Sequence, residues 1–131
     1  MKVIDAKGAI LGRLSSYVAK EALKGEELAI LNCREAIITG NRKNIEEDFL
    51  ARRRRTGTGQ TGPKVSKLSH LIVKRAIRGM LPNHRAGRGK QAFQRIKCYP
   101  GIPKEFESMK KITAGKGFKG KHIEVREVSS K

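Results

Sequence analysis

Apolar residues in this 131-residue chain fall into short runs separated by glycines, with helical repeats between them. Val3 and Ile4 predict a short buried strand, and Gly8 breaks the chain after it. Leu11, Leu14, Val18 and Ala22 then recur at three- and four-residue intervals up to Gly25, the spacing of an amphipathic helix. Strand, glycine turn and helix make half of an α/β unit. Residues 28–31 and 36–39 are two further apolar runs, separated only by Asn32, Cys33, Arg34 and Glu35. So short a link cannot hold a crossover helix, so local physics favours a hairpin or one bent strand over 28–39.

Polar patterning organises the middle of the chain. Asn41 or Asn44 is placed to cap a helix that carries Glu46, Glu47 and Asp48 early and Arg52, Arg53, Arg54 and Arg55 at its end, the order that suits the helix dipole. Dipole compensation accounts for one or two of these arginines. Four in succession point around the whole helix, so some must face a partner. Residues 56–63 hold three Gly and three Thr and predict a loop that orders only on binding. From Ser66 or Ser69 a further helix is expected, with Leu71, Ile72, Ala76, Ile77 and Met80 on its core face and Lys74, Arg75 and Arg78 opposite, stopping before Pro82. Residues 84–90 read as a loop in which Arg85, Arg88 and Lys90 lie among glycines, where backbone can approach phosphate closely. Phe93, Ile96, Cys98 and Tyr99 predict a short helix leading into a strand, closed by Pro100, Gly101 and Pro103. No repeat or linker divides the chain, so residues 1–131 are expected to form one domain.

Charge changes this picture. The formal net charge is +18 and the sequence pI about 10.5. Residues 1–40 hold six bases and five acids, whereas residues 49–104 hold fifteen bases and no acid. A solvated surface normally mixes both signs. An acid-free run of this length predicts a polyanionic partner, and nucleic acid fits better than a membrane surface, because no sustained amphipathic helix with large aromatics accompanies the charge. Without tryptophan, and with only four Phe and two Tyr, the chain does not read as a stacking platform for single strands. Nothing resembles a zinc finger, a basic zipper or a recognition helix for the DNA major groove. Recognition of folded RNA by backbone and shape fits best. No apolar run approaches the roughly 20 residues of a membrane span, and the N-terminus lacks a signal-peptide pattern, so a cytoplasmic protein is expected.

Candidate chemistry is sparse. Gly8 to Ser15 sits between a strand and a helix like a phosphate-binding loop, but three residues rather than four separate its glycines and Arg13-Leu14 stands where Lys and Ser or Thr are required. A tight turn is the better reading, with Arg13 at most a minor phosphate contact. The basic segment offers no carboxylate as general base, and His70, His84 and His122 are scattered singly. No enzyme, metal or cofactor, and no small-molecule substrate, is expected. Cys33 and Cys98 lie in apolar, strand-like surroundings and read as buried free thiols rather than a disulfide.

A set of motifs in order then carries a resemblance: Asp5-Ala6-Lys7-Gly8, Leu11-Gly12-Arg13-Leu14-Ser15-Ser16, Ile38-Thr39-Gly40-Asn41, Arg78-Gly79-Met80-Leu81-Pro82, and Gly87 through Ala92-Phe93, Arg95, Lys97, Tyr99, Gly101 and Pro103. Together they resemble the large-subunit ribosomal protein thirteen family, the universal L-thirteen family, across nearly the whole chain. The resemblance implies an α/β/α sandwich around a small, mainly parallel four-stranded sheet with extended basic loops. It implies a structural, non-catalytic role binding and stabilising large-subunit rRNA during assembly, in the cytoplasmic ribosome, with neighbouring large-subunit proteins as further partners. It also speaks against the hairpin over 28–39. Compactness, the lack of bacterial N- and C-terminal additions, and Arg52 to Arg55 leading into the Gly/Thr loop look more like the archaeal and eukaryotic branch. Arg78, Arg88, Arg95 and Lys97 are the motif positions expected to contact RNA. Charge and loop context add Arg52, Arg53, Arg54, Arg55, Lys64, Lys67, Lys74, Arg75, Arg85 and Lys90, with Lys116, Lys119 and Lys121 behind them, while residues 79–82 read as a helix stop and core packing. The alternative that charge alone allows is a general nucleic-acid compacting protein.

Overall fold

The computed structural model of the protein describes residues 1–54, 66–115 and 117–129. Strands β1 (Lys2–Asp5) and β2 (Leu28–Leu31) flank helix α1 (Leu11–Leu23), as the first forty residues predict. After them come β3 (Ile37–Thr39), α2 (Arg42–Arg54), α3 (Ser69–Met80), α4 (Gly87–Gln94), β4 (Ile96–Cys98), β5 (Ile112–Thr113), β6 (His122–Glu124) and α5 (Val125–Ser129). Four strands form one sheet in the order β4-β2-β1-β5, all parallel.

A parallel sheet covered on both faces needs strands that are apolar throughout rather than alternating, and Leu-Ala-Ile-Leu in β2 is buried at every position. Ile4, Leu28, Ile30 and Ile96 face a core shared with Leu14 and Val18 of α1 and Val73 and Ile77 of α3. Val3, Ala29 and Leu31 point the other way, onto Phe106 and Tyr99, whose ring centroids lie 5.5 Å apart. Helices, sheet and the segment around the 3₁₀ turn Lys104–Phe106 therefore make three layers. Helix α1 ends in a Schellman closure, with Gly25 at φ +99°, its N–H on the Ala22 carbonyl and the Glu26 N–H on that of Glu21.

The hairpin expected over 28–39 does not form. Both edges of β2 are occupied, by β1 and β4, so β3 has no edge to pair with. Asn32 takes a left-handed conformation, φ 58°, and the 3₁₀ turn Cys33–Glu35 swings the chain out of the sheet. Asn32, Cys33 and Arg34 give their N–H groups to the carbonyls of Gly101, Tyr99 and Pro100, and the Asn32 amide donates to Asp5 Oδ1 at 2.9 Å. Strand β3 pairs antiparallel with β6 in a separate two-stranded sheet.

Two further expectations are corrected. In α3 the buried residues are Ser69, Ile72, Val73 and Ile77, while Leu71 and Met80 are 37% and 46% exposed. At about 100° per residue, Leu71 falls almost opposite Val73, beside Arg75 and Arg78, and Met80 sits in the last turn. Helix α4 also begins earlier than expected, so Arg88 and Lys90 are helical rather than in a loop. Its Gly89 serves the protein's own packing, because a Cβ there would lie 2.3 Å from the Pro82 carbonyl oxygen and 2.4 Å from that of Asn83. Strands β5 and β6 and helix α5 carry too few residues for a periodic signal, and the sequence reading did not find them.

Candidate nucleic-acid interface

Helix α3 starts where the Ser66 hydroxyl accepts the Leu68 N–H and its buried stripe turns Val73 and Ile77 inward, which turns Arg75 outward. Lys67 is exposed just ahead of the helix, while Lys74 and Arg78 are half-buried along its flanks. The Lys74 ammonium lies 4.9 Å from the centroid of the half-buried Phe93 ring in α4, a cation–π contact that ties α3 to α4. His84 approaches the same ring, with centroids 6.3 Å apart. The close backbone approach at Gly89 fixes α4 against residues 82–83, so Arg85, Arg88 and Lys90 project into solvent from one rigid corner. Lys74, Arg75, Arg78, Arg85, Arg88 and Lys90 thus belong to two helices and their junction, with Lys67 just ahead of the first. Phe93 and His84 join them without having been expected there, because Phe93 reads as an apolar position of a helix and His84 as a histidine standing singly.

Other predicted positions lie elsewhere. The Arg95 guanidinium donates from Nη1 to the Ala22 carbonyl at 3.0 Å, capping the C-terminus of α1. Lys97 is exposed on edge strand β4, between residues that face the main core, and so points away from α3 and α4.

Helix α2 forms a second basic region. Asn41 Oδ1 accepts the Lys43 N–H at 3.1 Å, marking the cap, and no residue of the helix is fully buried. Ile45 and Phe49 pack against the core from partly exposed positions. Arg42 pairs with Glu46 at 3.2 Å and with Glu127 at 2.6 Å, and those carboxylates hold its guanidinium above its ordinary pKa. Arg52 pairs with Asp48 at 2.9 Å and stands 5.6 Å over the Phe49 ring. Arg53 turns inward and donates to the Val128 carbonyl at 3.0 Å, so it joins α2 to α5, and Arg54 is exposed. Lys119 and Lys121 are exposed ahead of β6. Arg55, Lys64, Lys116 and the loop predicted at 56–63 lie outside the described residues.

The segment at Gly115 packs against the turn before α1. Ile10 donates its N–H to the Gly115 carbonyl at 3.1 Å, and a Cβ on Gly115, at φ +73°, would meet Arg13 Cβ at 3.0 Å. The Ile10 N–H is therefore taken within the chain. Away from both basic regions, Lys2 and Lys24 meet the buried Glu21 of α1. The hydrogen bond from Lys2 holds the Glu21 carboxyl below its ordinary pKa and raises that of Lys2. Among the described residues no helix is long and apolar enough to cross a membrane.

Fold and surface together define a class: a small α/β protein with a parallel sheet, an acid–base balanced body and an exposed cationic corner built on two helices. The family model for ribosomal protein L13 matches residues 1–105, and the chain belongs to that family. It is 44% identical to the large ribosomal subunit protein uL13 of Methanosarcina barkeri over 137 aligned positions, covering 100% of this chain and 96% of the relative. The namesake from Methanococcoides burtonii is 47% identical, over 82% of this chain and 76% of its own. That from Methanocaldococcus jannaschii is 42% identical, over 86% and 84%.

Proposed function

We propose that this chain is a structural constituent of the large ribosomal subunit that binds and stabilises large-subunit rRNA during assembly, acting as one domain in the cytoplasmic ribosome. The observation that carries this reading is the acid-free interval 49–104, seven of whose described bases lie on α3, α4, their junction or just ahead of α3, while the carboxylates of the chain lie outside the interval. Cations on such a surface meet phosphates and release counterions, which gives affinity without a base code. Lys67, Lys74, Arg75, Arg78, Arg85, Arg88 and Lys90 are the contacts with most support. Arg52 and Arg54, with Arg55 and Lys64, extend the surface along and beyond α2. Lys97 serves a separate contact on the far side of β4, and Arg95 combines any phosphate contact with its cap on α1. Membership of a ribosomal family supports rRNA and neighbouring large-subunit proteins as the partners. With no catalytic constellation in this reading, the role is architectural: fixed positive charge holds one rRNA region in its folded arrangement.

Crosslinking and sequencing of RNA bound to the tagged protein in its native cells, with sedimentation in a sucrose gradient, tests this. Co-migration with large subunits and crosslinks confined to a few large-subunit rRNA sites is the expected result. Crosslinks scattered over many RNAs or DNA, outside ribosomal fractions, would replace it with a nucleic-acid compacting role.

A further inference from the structure

Cys33 and Cys98 are distant in sequence and adjacent in the fold. Cys98 ends β4 in register with Ile30 of β2, and Cys33 follows β2 directly after the left-handed Asn32. The Cys33 N–H donates to the carbonyl of Tyr99, the neighbour of Cys98, at 3.1 Å. Its thiol is 3.7 Å from the carbonyl oxygen of Ile30, the residue in register with Cys98. Both side chains lie on the main-core side of the sheet, with Cys33 fully buried and Cys98 half-buried at its rim. Both are free thiols. Contact with Cys98 and burial raise the pKa of the Cys33 thiol, and the half-buried Cys98, rather than the enclosed Cys33, is the group an oxidant reaches first.

We propose that Cys33 and Cys98 form a redox-responsive pair that closes reversibly to an intramolecular disulfide when a small disulfide oxidant, such as oxidised glutathione, is present. The Cys98 thiolate attacks one sulfur of the oxidant and releases one glutathione thiol, leaving a mixed disulfide. The Cys33 sulfur then attacks Cys98, gives up its proton and expels the second glutathione thiol. Two protein thiols are oxidised by two electrons, and one glutathione disulfide is reduced to two thiols. The bridge would staple the turn after β2 to the end of β4, where residues 99–101 leave the sheet to cover its other face. The loop it closes runs from 33 to 98, so restricting the unfolded chain should raise Tm by on the order of 10 °C.

The pair is tested on the full-length folded protein, without RNA, by incubation with oxidised glutathione followed by intact-mass measurement and non-reducing peptide mapping. The expected product is lighter by two hydrogens, yields a peptide pair joined through Cys33 and Cys98, melts higher and reverts with dithiothreitol. Cys98→Ser, which leaves the buried Cys33 in place, should remain unmodified and show no rise in Tm. A stable mixed disulfide on Cys98, an intermolecular disulfide, or two thiols that still alkylate after denaturation while a control dithiol peptide in the same tube oxidises would each overturn the proposal.

Discussion

The body built from β1, α1 and β2 and the corner built from α3 and α4 solve the placement of charge in opposite ways. In the body, Lys2 and Lys24 converge on the single buried carboxylate of Glu21, so the charge is answered within the chain. Residues 66–104 contain no carboxylate; Lys74 lies over a ring and Arg95 donates to a helix-end carbonyl. Helix α2 stands between, with Arg42 and Arg52 paired to acids and Arg54 exposed. A balanced region spends its charges on its own fold. A region of one sign must spend them outside, and its rigid seating by Val73, Ile77 and Gly89 keeps the charges in fixed positions when no counter-charge is present.

The sharpest way to break this contrast is to damage the body and read both stability and binding. Ile30→Ala, at a fully buried position of the central strand, should cost about 2–5 kcal/mol in chemical denaturation. It should weaken RNA binding only under conditions where the chain is partly unfolded. Next in size is the reverse experiment. Replacing Lys67, Arg85, Arg88 and Lys90 together by Ala, all exposed, should flatten the log–log salt dependence of RNA binding by about three while each change alters stability by no more than about 0.5 kcal/mol. An unchanged salt slope would remove α3, α4 and their junction from the interface.

Arg95 lies where the two strategies meet. Arg95→Ala removes the charged hydrogen bond on the Ala22 carbonyl and should cost about 1–2 kcal/mol in denaturation. A loss of RNA affinity larger than the partial unfolding explains would show that the same side chain also meets phosphate. The smallest effect belongs to Glu21. Its folded-state carboxyl is depressed, so between its folded and unfolded pKa values the unfolded chain binds more protons and stability rises with pH. The contribution is present above the unfolded value of about 4.3 and is lost as pH falls through the folded one. Glu21→Gln should therefore shrink the stability difference between neutral and acidic pH, read as denaturation midpoints across that window.

Much of the body was legible because parallel-sheet strands and an amphipathic helix leave strong local marks: Val3-Ile4, the 28–31 run, the Leu11 to Ala22 spacing and Gly25 all mapped to the elements they predicted. The candidate site was legible as composition, since an acid-free interval is visible without a fold. Its arrangement was not. Arg53 and Arg95 read as two more cations, yet one is turned onto Val128 and the other onto Ala22 by chain segments far away in sequence. Gly89 suggested room for phosphate and instead admits the backbone of Pro82 and Asn83.

By itself, the sequence determined the class of fold, the first strand–helix–strand unit, the sign and location of the charge, and through its ordered motifs the family. Local periodicity and composition suffice for the first unit and the charge because each depends on residues near one another in the chain, while the fold class and the family came through the resemblance that motifs ordered along nearly the whole chain carry. Tertiary structure decided how residues 28–39 divide between two sheets, which face of α3 is buried, which arginines brace the fold, and that Cys33 meets Cys98. Each of those depends on which edge, carbonyl or sulfur a distant segment brings alongside, and that is fixed only when the whole chain has packed.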